Sequence, residues 1–504
     1  MSEDRKVKRR VPRAVGRKGI LLIACMLATA LFVPINQVRA QSTGKYFDNV
    51  VIIVMENEGI CDILYGNISY WGMTCGTTQN TYMPYATSLA KKWGLTTHYN
   101  STDTSGSAFS LKNYLALFSG QTWGCTSDDN PNSSTCTQNA WNSVNQNLVD
   151  RLPSPITWKA YMENMTSNCQ TTDSSTYSAH HDPLVYFNDV VGNPTRCGQV
   201  VPAGTNGSLD STLLNDLNSG SAPNLMWLTP NLCDDMHTIC TGSNNQVPET
   251  CTSSNQTGCC RYSATYAQCL PVGDRYLNNL VPQVLSSYTF THSRSALFIT
   301  FDEGGTFCPN GVSTDDCVYS VWVGPAGKSS FSSSARYGHY SWLATLEDNW
   351  GFRGSCLSHD CPPTPILSEF FIPSVRLSVS PLTIYQTFQN GVPNTMINRT
   401  TLTLTSLLGF TGTVNVTISP YNTNPLYGPV VQFSKTGNNT ETFTLTANGQ
   451  ISDTLGVYSC RTTPSGVWTF TLSVVAGAPA TYVTFTDLVS GTSRIYNCPL
   501  APSP

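Results

Sequence analysis

The sequence predicts an α/β domain with a mainly parallel central sheet flanked by helices, followed by a smaller β-sandwich. Residues 50–55 and 296–301 are apolar runs without polar alternation, as in strands buried on both faces of a parallel sheet. Segments of helical periodicity separate them, and alternating strands and helices are typical of α/β domains. After residue 373, short runs alternate apolar and polar residues, which indicates half-buried strands.

Three helices and one further strand are predicted between the two apolar runs, and a fourth helix is predicted after the second run. The helices are expected at residues 83–93, 113–118, 274–287 and 340–350, and the strand at residues 224–229. Gly94 and Gly351 follow two of these helices and provide stop signals. Asp274 is expected to cap the third helix, and Pro282 is expected to kink or split it.

The C-terminal residues 374–504 are predicted to form an antiparallel β-sandwich of immunoglobulin-like size, after an α/β domain at residues 41–373. The alternating runs lie at residues 377–379, 402–404, 414–418, 443–445 and 468–472. This region contains no histidine and few acids, so we expect no catalytic constellation there. Contact with a cell surface or a glycan is the role that the sequence leaves for it.

The N-terminal residues 1–40 have the pattern of a signal peptide: a basic start, an apolar stretch at residues 19–34 and a small-residue cleavage site at Ala40. An uncleaved membrane anchor is the alternative. Removing this segment takes away 9 of 27 basic and 2 of 31 acidic residues, which leaves 18 and 29 and a net charge of −11. That charge argues against nucleic acid or an anionic membrane as the main partner.

The cysteines also predict a protein that is secreted or held at the cell surface. Of 19 cysteines, Cys25 lies in the predicted signal peptide, and the other 18 are dispersed. An even, dispersed set in an exported chain indicates disulfides, whereas paired C-x-x-C zinc spacing is missing. Proximity or a shared domain suggests the pairs Cys308–Cys317, Cys356–Cys361 and Cys460–Cys498. Nine N-x-[ST] sequons predict a glycoprotein with most of these sites on surface loops.

Acidic residues follow both apolar strands at the point where each strand ends. Glu56 and Asn57 come directly after the first strand, and Asp302 and Glu303 after the second. Ligands of parallel α/β sheets bind beyond the carboxyl ends of the strands. Because clustered carboxylates repel one another, these oxygens predict a site for a hard divalent cation.

A serine and three histidines could complete such a site. Ser110 lies where a small-residue loop passes into an apolar helix, and a helix N-terminus can hold phosphate. An ordinary N-cap serine is the alternative interpretation. His181, His237 and His339 lie near strand ends or a helix start. Acids and imidazoles at one sheet edge can bind metal or stabilise anions.

Six motifs between residues 46 and 352 carry a family resemblance. They are VIIVMEN at 51–57, SLKNYLALFSG at 110–120, YSAHHDP at 177–183, PNLCDDMH at 230–237, FITFDEGG at 298–305, and YGHYS at 337–341 with EDNWG at 347–351. In this order they resemble the phosphoesterase family, which includes secreted acid phosphatases and bacterial phospholipases C. The resemblance implies an alkaline-phosphatase-like fold.

The resemblance also implies roles for individual residues. It assigns a divalent cation (Mg, Ca, Mn or Zn) to Glu56, Asn57, Asp302 and Glu303, and makes Ser110 the nucleophile and a further metal ligand. The positions around the phosphoryl group or a second cationic centre correspond to Asn113, His181, Asp235, His237 and His339; we include Asp235 among the metal ligands. The chain departs from the family at Ala108, where a histidine is usual. Ser107 is the weaker nucleophile candidate.

These observations predict a secreted, metal-dependent acid phosphatase that hydrolyses small phosphomonoesters through a phosphoserine. We expect the histidines to act as cations, which favours acidic pH. A phospholipase C-like diesterase acting on phospholipid headgroups is the first alternative. The segment after Asn57 lacks the Arg-Ser-Phe-Asp-His run of that branch. A catalytically degenerate, glycosylated cell-surface binding protein is the second, favoured by Ala108.

Overall fold

A computed structural model of the chain describes most of residues 44–490. The described residues are 44–65, 75, 80–102, 110–131, 136, 140–142, 146–174, 176–204, 210–237, 266–304, 307–309, 316–387, 398–420, 429–458, 466–475 and 481–490. The predicted signal peptide, Ser107, Ala108, Cys460 and Cys498 lie outside them. Within these ranges, no helix has the length and apolar character needed to cross a membrane.

An eight-stranded mixed sheet forms the centre of the α/β region. Its strands are β1 (Asn49–Met55), β2 (Gly94–Thr96), β4 (Trp158–Met162), β5 (Val200–Pro202), β6 (Leu225–Thr229), β7 (Ser295–Phe301), β8 (Ser320–Val323) and β9 (Phe331–Ser333), in the spatial order β5-β4-β6-β1-β7-β8-β2-β9. A separate parallel pair joins β3 (Tyr99–Asn100) to β10 (Tyr337–Gly338). The strand order requires crossover connections, which the intervening helices supply.

The two apolar runs lie side by side at the centre of this sheet. β1 pairs in parallel with β6 and with β7, and every residue of the three strands is buried. The predicted buried parallel strands are thus confirmed. β8 runs antiparallel to both β7 and β2, so the sheet is mixed. Its four residues, Ser320–Val323, are too few for a periodicity to identify them.

Ten α-helices lie in the described part of the chain. They are α1 (Ile60–Tyr65), α2 (Pro84–Lys92), α3 (Ser110–Ser119), α4 (Leu148–Arg151), α5 (Asn188–Val191), α6 (Pro194–Cys197), α7 (Ser211–Asn218), α8 (Tyr266–Ser286), α9 (Tyr288–His292) and α10 (His339–Trp350). The four predicted helices correspond to α2, α3, α8 and α10. α10 ends as predicted at Gly351, which takes a left-handed conformation with φ of 79°.

The expected N-cap role of Asp274 is wrong. Asp274 lies inside α8, which begins eight residues earlier at Tyr266 and continues through both Pro271 and Pro282. Its carboxylate accepts hydrogen bonds from the backbone N–H groups of Tyr85 (3.0 Å) and Ala86 (2.8 Å). These groups lie in the first turn of α2, where N–H groups have no intrahelical partner. Asp274 therefore caps a different helix.

Two β-sheets with a common hydrophobic core follow residue 373. The strands are β11 (Ser374–Ser380), β12 (Thr383–Thr387), β13 (Asn398–Leu407), β14 (Gly412–Ser419), β15 (Val430–Phe433), β16 (Thr440–Leu445), β17 (Gln450–Tyr458), β18 (Gly466–Val475) and β19 (Thr481–Ser490), in the orders β11-β13-β17-β15 and β12-β19-β18-β14-β16. Alternate residues such as Leu402 and Val414 enter the common core. The expected antiparallel pairing is correct except between β12 and β19, which are parallel, and the strand orders do not identify an immunoglobulin-like domain. The predicted boundary at residue 373 stays a prediction.

A buried arginine links the α/β region to β11. The Arg294 side chain is fully buried and donates to the Asp48 carboxylate (2.6 Å), the Gly44 carbonyl (2.6 Å) and the Ser374 hydroxyl (3.1 Å). Arg376 of β11 donates to the same Gly44 carbonyl at 2.7 Å. The buried guanidinium thus has both a counter-charge and hydrogen bonds, without which its burial would be strongly unfavourable.

Four disulfides occur among the described cysteines: Cys61–Cys75, Cys125–Cys136, Cys308–Cys317 and Cys356–Cys361. The last two confirm predictions. Among the described sequons, Asn415 and Asn438 are exposed, as expected for glycan acceptors. Asn100 is buried in β3 and is an exception to the expectation that most of these sites lie on surface loops.

A buried carboxyl group in α10 makes stability depend on pH. Glu347 is fully buried, and Arg353 Nη1 lies 3.6 Å from its Oε2. Burial and the neighbouring Asp360 carboxylate raise the pKa of Glu347 from 4.5 to about 9. The folded protein therefore keeps a proton that the unfolded chain loses above pH 4.5, so the free energy of unfolding falls as pH rises towards 9.

We therefore expect Glu347→Gln to reduce this loss of stability. Wild-type Tm should fall between pH 5 and pH 8, and the fall should be smaller in the variant, because glutamine does not titrate. Differential scanning fluorimetry at matched ionic strength measures both. Glu441→Gln in β16 serves as the control. An equal fall in wild type and Glu347→Gln would contradict the assignment.

Candidate active site

The parallel register of β1 and β7 brings two acids together. Met55 pairs with Phe301, so Glu56 and Asp302 follow at adjacent positions, and both are fully buried. The Asp302 N–H donates to the Met55 carbonyl (3.0 Å), and the Asn57 N–H donates to Asp302 Oδ1 (3.1 Å). Asn57 has a φ of 61°, a left-handed conformation that asparagine tolerates better than most residues.

The loop after β6 adds a third acid from the neighbouring strand. Asp235 is fully buried, and its carbonyl accepts from the Glu56 N–H at 2.9 Å. Its Oδ1 accepts from the His237 N–H at 2.7 Å. β6, β1 and β7 are neighbours in the sheet, so their carboxyl ends deliver Asp235, Glu56 and Asp302 to one place.

His181 lies between two of these carboxyl groups. Its Nε2 is 3.2 Å from Glu56 Oε1, and its Nδ1 is 3.5 Å from Asp235 Oδ2. The Tyr114 ring stacks on the imidazole with 5.2 Å between ring centroids, and the His237 ring lies 5.5 Å away. The fixed His181 side chain thus joins the acids of β1 and the β6 loop.

Helix α3 presents Ser110 to the same cluster. Ser110 is its first residue, and the hydroxyl donates to Glu56 Oε2 at 3.1 Å. One turn later, Asn113 Nδ2 donates to Glu303 Oε2 at 3.2 Å, and Asn113 Oδ1 accepts from the Thr102 N–H at 3.0 Å. The hydroxyl at the start of the predicted helix therefore lies beside the predicted acids.

One backbone donor at this helix start is already used. The Leu111 N–H donates to Asp128 Oδ1 at 3.0 Å. Free N–H groups were expected around Ser110 as an anion cradle, and this contact removes one of them. Lys112, the neighbouring basic residue of α3, is half-buried.

His339 contacts the cluster from α10. It is the first residue of that helix, it is buried, and its Nε2 lies 2.6 Å from the Asp302 carbonyl oxygen. Because a carbonyl only accepts, Nε2 must carry the proton. The buried Nδ1 makes no hydrogen bond within the described residues, which leaves a lone pair there as an acceptor.

Burial opposes charge on the groups at this site. It raises the pKa of Glu56 well above its usual value, with the Asp302 and Asp235 carboxylates adding to the shift. It raises the pKa of Asp235 as well, against the hydrogen bond from His237. It lowers the pKa of His181 well below its usual value, and that of His339 to about 4. Burial thus disfavours the cationic form of these two histidines, which we expected to act as cations.

The donor set fits a divalent cation. Glu56 Oε1, Asn57 Oδ1 and Asp235 Oδ2 are buried and make no hydrogen bond within the described chain. Ligand atoms of Glu56, His181 and His237 lie within 4.8 Å of one another. Carboxylate, amide and imidazole donors suit Mg²⁺, Mn²⁺ or Zn²⁺. A cation would satisfy these oxygens and relieve the repulsion between the acids.

Sequence reasoning missed Asp316, which supports the site. This buried residue accepts hydrogen bonds at Oδ2 from the Gly304 N–H (2.9 Å) and the Ser101 hydroxyl (2.7 Å). It thus ties the turn after Glu303 to the segment that holds Asn113 through Thr102. Asp316 lies in a loop sequence without periodicity, and only its position next to Cys317 of a predicted disulfide could have drawn attention to it.

Comparisons with known proteins agree with the family resemblance. Residues 69–248 match the model of the Phosphoesterase family, which confirms the resemblance seen in the motifs. That stretch contains Ser110, His181 and Asp235, and it excludes the strand ends at Glu56 and Asp302.

Curated relatives and solved structures complete the comparison. The chain is 28% identical over 256 residues to a phosphate-repressible acid phosphatase from Penicillium chrysogenum, covering 48% of this chain and 49% of the relative. It is 25% identical over 251 residues to an acid phosphatase from Aspergillus fumigatus, covering 47% and 45%. The chain thus spans about half the length of these curated relatives. A Vibrio parahaemolyticus protein of the alkaline phosphatase superfamily aligns with a TM-score of 0.38 at 11% identity, covering 78% of this chain and 86% of that one.

The charge repulsion at this site predicts an unusual effect of Asp235→Asn on stability. In chelator, the variant should be more stable than wild type, because it loses a buried charge and keeps the acceptor for the His237 N–H. We expect a Tm increase of about 2 °C or more, equivalent to about 1 kcal/mol. Added divalent cation should raise the Tm of wild type more than that of the variant.

Asp453→Asn, in β17, is the control and should alter neither value. If Asp235→Asn lowered the Tm in chelator and kept the full cation effect, the proposed charge repulsion at Asp235 would be wrong.

Proposed function

We propose that this protein is an exported, metal-dependent acid phosphatase that hydrolyses phosphomonoesters through a phosphoserine on Ser110. The observation that carries the proposal is the Ser110 hydroxyl 3.1 Å from Glu56, where three acid-bearing strand ends converge. Acid phosphatase relatives and the family match support phosphoric ester hydrolysis. The four disulfides support an oxidising, extracytoplasmic location.

In the first step, the Ser110 oxygen attacks phosphorus in line with the ester oxygen. The Ser110 proton passes to Glu56 Oε2, the acceptor of its hydrogen bond, as a bond from Oγ to phosphorus forms. The ester bond breaks, and the alcohol leaves with a proton from His237. Glu56, Asn57, Asp235, Asp302 and Glu303 would hold the cation. Such a cation supplies positive charge that lowers the pKa of a serine hydroxyl and offsets phosphate charge. The hydrogen bonds of the Asn113 amide fix the orientation of the helix end that carries Ser110.

Of the three histidines, His181 and His339 serve this step as neutral groups rather than as fixed cations, whereas His237 carries a transferable proton. Buried His181 and His339 position Glu56 and the Asp302 loop through the contacts described above. His237 is half-buried, so of the three it can best exchange protons with solvent. We assign to it the protonation of the leaving alcohol. In the second step, water gives a proton to His237 and attacks phosphorus. The bond from phosphorus to Oγ breaks, Oγ takes back the proton from Glu56, and inorganic phosphate leaves.

We expect Ser110→Ala to lower kcat on p-nitrophenyl phosphate by about 10³-fold or more, because no other nucleophile replaces the hydroxyl. Ser119→Ala is the matched control: it lies at the other end of α3 and donates to the Leu115 carbonyl. Tm of both variants verifies folding. The same assays on phosphatidylcholine test the diesterase alternative.

Activity of Ser110→Ala within tenfold of wild type would rule out the nucleophile assignment. Ser110-dependent activity on the lipid alone would favour the phospholipase C alternative. Absence of both activities together with absence of bound metal would favour the binding protein.

Metal removal gives an independent test. Dialysis against chelator should abolish phosphatase activity and lower the Tm, and one of Mg²⁺, Mn²⁺, Ca²⁺ or Zn²⁺ should restore both. Elemental analysis of the purified protein should find about one cation per chain, as expected for a single set of oxygen ligands. Full activity after exhaustive chelation would contradict metal dependence, and two zinc ions per chain would contradict the single-metal mechanism.

A further inference from the structure

We propose that Cys169 and Cys197 form an additional disulfide, which anchors the loop that carries His181. The structure records both as free cysteines, Cys169 buried and Cys197 half-buried. The inference does not depend on the proposed function. It concerns the connection between two neighbouring segments, residues 163–182 and α6.

Backbone and side-chain contacts bring the two thiols together. The Cys169 N–H donates to the Val200 carbonyl at 3.1 Å, three residues after Cys197. The Cys197 sulfur lies 4.0 Å from the carbonyl oxygen of Asn168, the residue before Cys169. Both cysteines therefore lie where residues 168–169 contact residues 197–200. Segments joined at these two points make the two cysteines neighbours, which is the arrangement that a disulfide requires.

The bond would fix a loop that folds back on itself. The Gln170 carbonyl, next to Cys169, accepts from the Tyr177 hydroxyl at 2.7 Å. The same hydroxyl lies 3.3 Å from Asp182 Oδ2, and Asp182 directly follows His181. A chain of contacts therefore runs from Cys169 to the residue beside His181. A disulfide at its start would hold the loop against α6.

The chemistry is thiol–disulfide exchange. The half-buried Cys197 is the more accessible thiol, and its thiolate attacks a disulfide of an oxidised carrier, forming a mixed disulfide. The Cys169 sulfur then attacks Cys197 and displaces the carrier. Two electrons and two protons pass to the carrier, which leaves as a dithiol. The compartment that oxidises Cys61–Cys75 and Cys356–Cys361 supplies this oxidant.

Peptide mapping under non-reducing conditions tests the proposal on the full chain. The protein is denatured in the presence of N-ethylmaleimide, which alkylates free thiols. It is then digested and analysed by mass spectrometry. We expect a linked peptide containing Cys169 and Cys197, with neither thiol alkylated, as for the Cys61–Cys75 control. Alkylation of both Cys169 and Cys197 in a sample whose Cys61–Cys75 bond is intact would overturn the proposal.

Cysteine variants provide a second measurement. If the bond exists, Cys169→Ala, Cys197→Ala and the double variant should lower Tm by the same amount, because each removes one and the same cross-link. Cys61→Ala, Cys75→Ala and their double variant give the reference pattern for an established pair. Additive losses for Cys169 and Cys197 would show independent thiols and contradict the bond.

Discussion

The site depends on buried carboxyl groups that one sheet edge forces together. The seven-residue parallel register of β1 and β7 fixes Glu56 beside Asp302, and β6 adds Asp235. A shift of either strand by one residue would turn its side chains to the opposite face of the sheet. The fold therefore holds the acids in place against their repulsion. Protons or a cation must supply the missing positive charge, and this need links stability to function.

Much of this arrangement could be predicted because it follows from local patterns. Apolar runs without alternation identify buried parallel strands, and chain connectivity places their carboxyl ends at one edge. Glu56 and Asp302 follow from that rule alone. Ser110 was predictable as a helix start. His181 and His237 were candidates through their positions near strand ends, whereas Asp235 required the family motifs.

The rest was decided by contacts between distant segments. Asp274 has the local features of an N-cap, yet its carboxylate caps a helix that lies about 190 residues earlier in the chain. β8 is recognisable only from its partners. The pKa values of His181 and His339 are lowered by burial, which depends on the complete fold. Asp316 supports the site through two hydrogen bonds to residues remote in sequence. Such features have no signal within a window of neighbouring residues.

The buried Arg294 gives the central strands two chemically different ends. β1 and β7 begin beside a guanidinium whose charge and donors are satisfied by Asp48, Gly44 and Ser374, and they end at a cluster of buried acids. The charges at one end of these strands are balanced within the protein. The carboxyl groups at the other end repel one another, and a bound cation would relieve this repulsion. Cutting the chain at residue 373 would also remove the Ser374 hydroxyl from Arg294. The C-terminal sheets thus contribute a hydrogen bond to Arg294, at the end of β1 and β7 opposite to the candidate active site.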